Sequence, residues 1–206
     1  MENRSVFYRP PSWNGWGRLW LRPESNGKNP FAIGAIRLLV LTGCRKSELL
    51  TLKWSQVDQV HSCLRLSTSK TGAKVVPLGA AAFALLEALP RIGGNPYVFP
   101  GAKAGSHLVG LPRFFEGIRR RAGLVDLRLH DLRHSFASAG AAGGLSFPLI
   151  GALLGHRDPK TTQRYAHLAD DPVKAAADRI AAAIEAAMSG APASITVGPP
   201  TRRNLI

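Results

Sequence analysis

At 206 residues the chain can bury one good core, with appendages, but hardly two full domains. Its 27 Lys and Arg against 13 Asp and Glu leave a formal charge of +14 at pH 7. That balance points to a polyanionic partner, nucleic acid or an anionic membrane surface, because clustered cations neutralise phosphates and release condensed counterions. No apolar run reaches the length of a bilayer span, since Ala35 to Leu41 is cut by Thr42, Gly43 and Arg45. The first residues lack the pattern of a signal peptide, and the two cysteines, Cys44 and Cys63, have no zinc-site spacing. A soluble, cytoplasmic protein with reduced thiols, no metal and no cofactor is expected.

Residues 1 to 28 mix Phe7, Tyr8, Trp13, Trp16 and Trp20 with Pro and Gly and hold no helical or strand period, so they read as an irregular arm. Asn29-Pro30 starts a strongly apolar helix that Gly43 ends, and a second short helix runs from about Arg45 to Leu52. Val57 to Val60, Cys63 to Ser67 and Val75 to Leu78 have strand character. The Thr71-Gly72 pair between the last two reads as a hairpin turn. Helices are predicted over Ala81 to Leu89 and Leu111 to Ala122, separated by an extended piece at Tyr97 to Pro100 and a polar loop over Ala102 to His107. Further helices are predicted over His130 to Ala142, Phe147 to Leu154 and Lys160 to His167. A last amphipathic helix spans Pro172 to Met188, before a Pro/Gly/Ala/Ser-rich tail over residues 189–206.

Three stretches carry the chemistry. Thr42-Gly43-Cys44-Arg45-Lys46-Ser47-Glu48-Leu49 is an arginine box. Leu129-His130-Asp131-Leu132-Arg133-His134 holds an His-x-x-Arg pair, and Leu154-Gly155-His156-Arg157 is followed by Tyr165, nine residues after His156. In this order and spacing the chain closely resembles the tyrosine recombinase (phage integrase) family. The resemblance covers roughly residues 29–168, and Trp54 also matches a position that supports the family's core.

It implies an α+β, mainly α, catalytic domain over residues 29–170 with a small antiparallel β-sheet. A C-terminal helix at 171–188 would dock on a partner subunit, and the tail would be flexible. Full-length members carry a separate helical domain on the N-terminal side, which the 28-residue arm is too short to form. The implied activity is DNA strand cleavage and rejoining through a 3'-phosphotyrosyl bond, on double-stranded DNA, as a homo-oligomer and without a membrane.

Breaking a phosphodiester without metal needs a nucleophile, positive charge around the pentacoordinate phosphorus and an acid for the departing oxygen. Arg45 and Arg133 suit the charge clamp, because a planar guanidinium presents paired donors to phosphate oxygens and keeps its proton. His130, three residues before Arg133, lies on the same helix face and can accept a proton or hold an oxygen. His156, after a glycine that permits a tight approach, adds a donor, and nearby guanidinium charge favours the phenolate of Tyr165. The resemblance assigns Lys70, in the Lys-Thr-Gly hairpin, as the general acid, with Lys74 the neighbour that could be confused with it. Arg119, Arg120, Arg121 and Lys74 are candidate DNA contacts.

Two other functions fit part of this pattern: a catalytically silent DNA-binding competitor of recombination, and a type IB topoisomerase. His130 and His134 stand at a spacing able to bind zinc, but no Glu follows His130 and no third ligand is evident.

Overall fold

A computed structural model of the chain describes residues 29–67, 72–124, 126–156, 160–163 and position 181. Apart from the last, all lie in the first of the two units into which the chain divides, Met1–Leu168. The fold is α+β and mainly helical, with one small antiparallel sheet.

Helix α1 (Pro30–Thr42) is the central element. Asn29 caps it by accepting from the backbone N–H groups of Phe31 (3.0 Å) and Ala32 (3.1 Å), and Pro30 supplies a φ already suited to the first turn. Gly43, at φ 62°, ends it in the left-handed region and donates to the Leu39 carbonyl at 3.0 Å. Ala32, Ala35, Ile36, Leu38 and Leu39 are buried, so the helix runs through the main core rather than over it. Helix α2 (Lys46–Leu50) follows, with Arg45 as its cap residue. It stops two residues short of the expected Leu52, where Leu52 donates to Leu49 and turns the chain toward a 3-10 turn at Trp54–Gln56.

Strands β1 (Val57–Asp58), β2 (Cys63–Leu66) and β3 (Lys74–Pro77) form an antiparallel sheet in that order. The register sets Asp58 opposite Cys63, Leu64 opposite Val76 and Leu66 opposite Lys74. β1 is shorter than predicted because the chain turns at residues 59–62, where His61 N–H donates to the Asp58 carboxylate at 2.9 Å. The period of two places Leu64, Leu66 and Val76 inward and Arg65 and Val75 outward. Lys74, two residues from Val76, therefore shares the inward face.

Helices α3 (Ala80–Glu87) and α4 (Leu111–Arg121) flank α1, with the extended segment 97–100 between them. Val98 and Phe99 of that segment are completely buried; Val98 N–H donates to Leu52 and Leu108 N–H donates to Phe99. Helices α5 (Asp131–Ala142) and α6 (Phe147–Leu154) carry a second apolar cluster of Ala137, Ala141, Ile150 and Leu154, with Phe136 and Phe147 against it. Each fully buried Ile or Leu there contributes roughly 1.5 to 3 kcal/mol. The short α7 (Lys160–Gln163) packs on α6. The expected arm, the C-terminal helix apart from position 181, and the tail lie outside the described residues, as do Lys70 and Tyr165.

Candidate active site

The three sequence boxes meet where α1 ends, α5 begins and α6 ends. Arg133, in the first turns of α5, is only 6% exposed. One Nη donates to the Gly43 carbonyl, ninety residues away, and the other donates to the Leu154 carbonyl at 2.8 Å. Gly43 stands two residues before Arg45, and Leu154 two before His156. A guanidinium has the rigid fork of donors to span two carbonyls at once; an ammonium presents a single point.

A second junction is made by Glu48, which the sequence reading did not single out. Its buried carboxylate accepts from the Arg45 backbone N–H (2.9 Å), from Arg45 Nη1 (2.8 Å) and from Lys74 Nζ (2.8 Å). Burial pushes the Glu48 carboxyl up, but the bonds from Lys74 and Arg45 outweigh it and hold the group below its ordinary value. The signal was available: Arg45 followed three residues later by Glu48 is the spacing at which a glutamate reaches back to the start of its helix.

Lys74, a candidate DNA contact, is held by this carboxylate. Its side chain is 11% exposed and ion-paired, on the inward face of β3. It also lies against Gly155: a β-carbon at that position would stand 3.2 Å from Lys74 Cδ, and Gly155 holds φ 69°. Glycine at 155 thus answers both a backbone and a space requirement just before His156.

His156 Nδ1 lies 2.9 Å from the hydroxyl of Thr162, which is buried on α7. This contact ties the Leu-Gly-His turn to the helix that leads toward Tyr165. His130 occupies the cap position of α5 and is exposed. Its ring packs edge to face on His134, with centroids 4.8 Å apart and planes at 89°, a contact between the two rings.

A cavity of about 470 Å³ opens beside these groups, lined among others by Cys44, Lys46, Arg119, Arg128, His130 and Arg133. Arg45 is not among its lining residues; its guanidinium is held by Glu48. The run Arg119-Arg120-Arg121 is divided by the turn of α4. Arg119 lines this cavity, Arg121 lines a separate one with Asn29 and Arg113, and Arg120 is exposed. Burial pushes the Cys44 thiol up, which keeps it protonated and unreactive and agrees with a packing role.

Residues 29–171 match the model of the phage integrase family. The chain belongs to the phage integrase family. Among curated members it is 32% identical over 147 residues to tyrosine recombinase XerD of Brucella suis biovar 1 (strain 1330), covering 66% of this chain and 48% of that protein. It is 33% identical over 144 residues to tyrosine recombinase XerA of Saccharolobus solfataricus, covering 68% and 46%. The chain thus spans about half the length of the curated relatives it matches.

Among solved structures, the fold is similar to a XerA recombinase at TM-score 0.67 and 24% identity, over 84% of this chain and 64% of that one. It is similar to the catalytic domain of bacteriophage HP1 integrase at TM-score 0.58 and 24% identity, over 93% and 97%. XerH site-specific recombinase, solved bound to a palindromic difH substrate after cleavage, matches at TM-score 0.63 and 25% identity, over 81% and 51%. The integrase-family catalytic fold expected from the motifs is the fold observed.

Proposed function

We propose that this integrase-family chain cleaves and rejoins double-stranded DNA through a 3'-phosphotyrosyl intermediate, as the catalytic domain of a site-specific recombinase. The observation that carries the reading is the Arg133 bridge. One buried guanidinium joins the arginine box at Gly43 to the Leu-Gly-His turn at Leu154, and so links motifs that lie far apart in the chain.

In this reading Arg45 and Arg133 stabilise the charge that develops on the equatorial oxygens of the phosphate. Arg45 is held by Glu48, and Arg133 by its two carbonyls. His156, steadied by Thr162, donates to a further oxygen. Tyr165 gives up its phenolic proton, with His130 as the acceptor, and its oxygen attacks phosphorus in line. The P–O bond to the 5' side breaks, and Lys70 protonates the departing 5'-oxygen. The phosphotyrosyl ester keeps the energy of the broken linkage, so a second 5'-hydroxyl reverses the same steps and joins a new strand without ATP.

The domain spans residues 29–170, with a C-terminal helix at 171–188 that engages a second copy when a homo-oligomer forms on DNA. Work on DNA in the cytoplasm fits the +14 charge, and, among the described residues, no helix is long and apolar enough to cross a membrane. Arg119, Arg120 and Arg121 contribute backbone contacts, Arg119 from the cavity wall.

The test uses the 206-residue chain and a pool of labelled duplexes, randomised in sequence around a nick that lets the short 5' product diffuse away. Label that travels with denatured protein, in EDTA and without ATP, is the expected result. Salt-sensitive binding of the pool with no covalent label under any condition would replace the reading with a silent DNA-binding module. Relaxation of supercoiled plasmid by a monomer would favour a topoisomerase.

A further inference from the structure

We propose that Lys74 is a positioning residue for Arg45: by taking a share of the Glu48 carboxylate it leaves the buried cluster one positive charge in excess, which Arg45 presents to a phosphate. The inference rests on the recombinase reading for its consequence in catalysis, while its electrostatic content stands on the three side chains themselves.

The cluster sets two cations on one anion. Glu48 Oε1 accepts from Arg45 Nη1 at 2.8 Å, and Oε2 accepts from Lys74 Nζ at 2.8 Å and from the Arg45 backbone N–H at 2.9 Å. The carboxylate is 3% exposed and the ammonium 11%, whereas the Arg45 side chain is 24% exposed. Arg45 is therefore the member through which the cluster meets an incoming anion. A guanidinium carries more N–H donors than its one bond to Glu48 uses, and the others suit phosphate oxygens.

Without the ammonium on Oε2, two things would change. The carboxylate would cancel the whole charge of Arg45, and its second oxygen could draw the guanidinium into a paired, two-bond contact that consumes the donors a phosphate needs. Lys74 prevents both.

Its own place is fixed by packing. Lys74 faces the interior from β3, in register with Leu66, and a β-carbon on Gly155 would stand 3.2 Å from its Cδ and 3.7 Å from its Nζ. The stem is thus confined between the Leu-Gly-His turn and α2, which leaves the ammonium little room to abandon Glu48. Burial pushes the Glu48 carboxyl up, and of the bonds that outweigh it the one from Lys74 is the strongest.

Two variants of the full chain separate charge from packing. Lys74→Met keeps a long stem and removes the cation; Lys74→Met with Glu48→Gln removes cation and anion together and restores the excess charge on Arg45. Inorganic phosphate is the probe, titrated against the Nε–H resonance of Arg45, which is identified by its loss in Arg45→Lys. The Kd for phosphate rises about three- to tenfold in Lys74→Met, the effect of one unit charge across a shared carboxylate in a partly wetted site. It returns to within about twofold of the parent in the double variant. A lysine that served only to brace β3 would leave the double variant at least as weak as Lys74→Met. Adduct formation on nicked duplexes follows the same order.

Equal phosphate affinity in the parent and Lys74→Met, or a double variant no tighter than Lys74→Met, would overturn the proposal. Should Lys74→Met not fold, Glu48→Gln against the double variant isolates the same charge: the single variant binds phosphate more tightly, and equal affinities there would overturn it too. If the parent chain forms no adduct at all, the recombinase reading fails, and the phosphate titration still decides the role of Lys74.

Discussion

Arg133 donates to the carbonyl oxygen of Leu154 at 2.8 Å, across twenty-one residues of sequence, while its other arm reaches Gly43. The residue that the family resemblance assigns to transition-state charge is thus also a strut between α1, α5 and α6. Replacement by lysine keeps the charge and loses the fork. Arg133→Lys is expected to lower unfolding stability by roughly 2 kcal/mol, the scale of a charged hydrogen bond lost in the interior, as read by urea denaturation. Adduct formation should fall far more than stability does, because the remaining ammonium cannot hold both loops and a phosphate oxygen.

Glu48 gives a prediction with a sign in pH. Its folded carboxyl lies below its ordinary value of 4.5, so its contribution to stability is present above that value and is lost as pH falls through the folded value. Glu48→Gln removes the anion that Lys74 and Arg45 share. A loss of about 3 kcal/mol near pH 7 is expected, because a buried cation is left without its partner. The variant and the parent should converge in stability as the pH is lowered through the folded value, below 4.5, measured by thermal unfolding across the series.

Gly43 tests the packing behind the site. It holds φ 62°, and a β-carbon there would lie 2.7 Å from both Leu154 Cδ2 and Phe136 Cδ1. Gly43→Ala must strain the backbone and displace the Leu154 and Phe136 side chains, at a combined cost of about 2 to 4 kcal/mol. Denaturant unfolding checks the figure; a neutral result would mean that the packing of Leu154 and Phe136 on Gly43 is softer than its geometry indicates.

Thr162→Val keeps the shape of a fully buried side chain and deletes the hydroxyl beside His156. Stability should drop by about 1 kcal/mol, the net value of one hydrogen bond. The rate of adduct formation should drop by about tenfold, as His156 loses the group that orients its ring. Equal rates in the two proteins would remove Thr162 from the account.

Much of this arrangement was legible in the sequence, and the reasons for the exceptions are physical. Asn29-Pro30 and Gly43 mark the ends of α1 because capping and left-handed backbone are local properties. The strand alternation was equally local, and it already contained the placement of Lys74: two residues from inward Val76, it faces the interior. Glu48 and Thr162 were harder to find because each acts through a partner. Thr162 and His156 are six residues apart across the break between α6 and α7, and Glu48 meets Lys74 only when β3 is laid beside α2. Arginine repeats were ambiguous for a related reason: adjacent residues on a helix point in different directions, which is why Arg119 and Arg121 line different cavities.

The central claim is that a single tyrosine attacks phosphorus at this cationic site. It is tested most directly by trapping nicked DNA on the parent chain, digesting the adduct and locating the modified peptide by mass spectrometry, beside the Tyr165→Phe variant. The account predicts a nucleotide-bearing peptide that contains Tyr165, and no adduct from the phenylalanine variant. An adduct of equal yield from Tyr165→Phe, or a modified peptide that maps to Tyr8 or Tyr97, would contradict it.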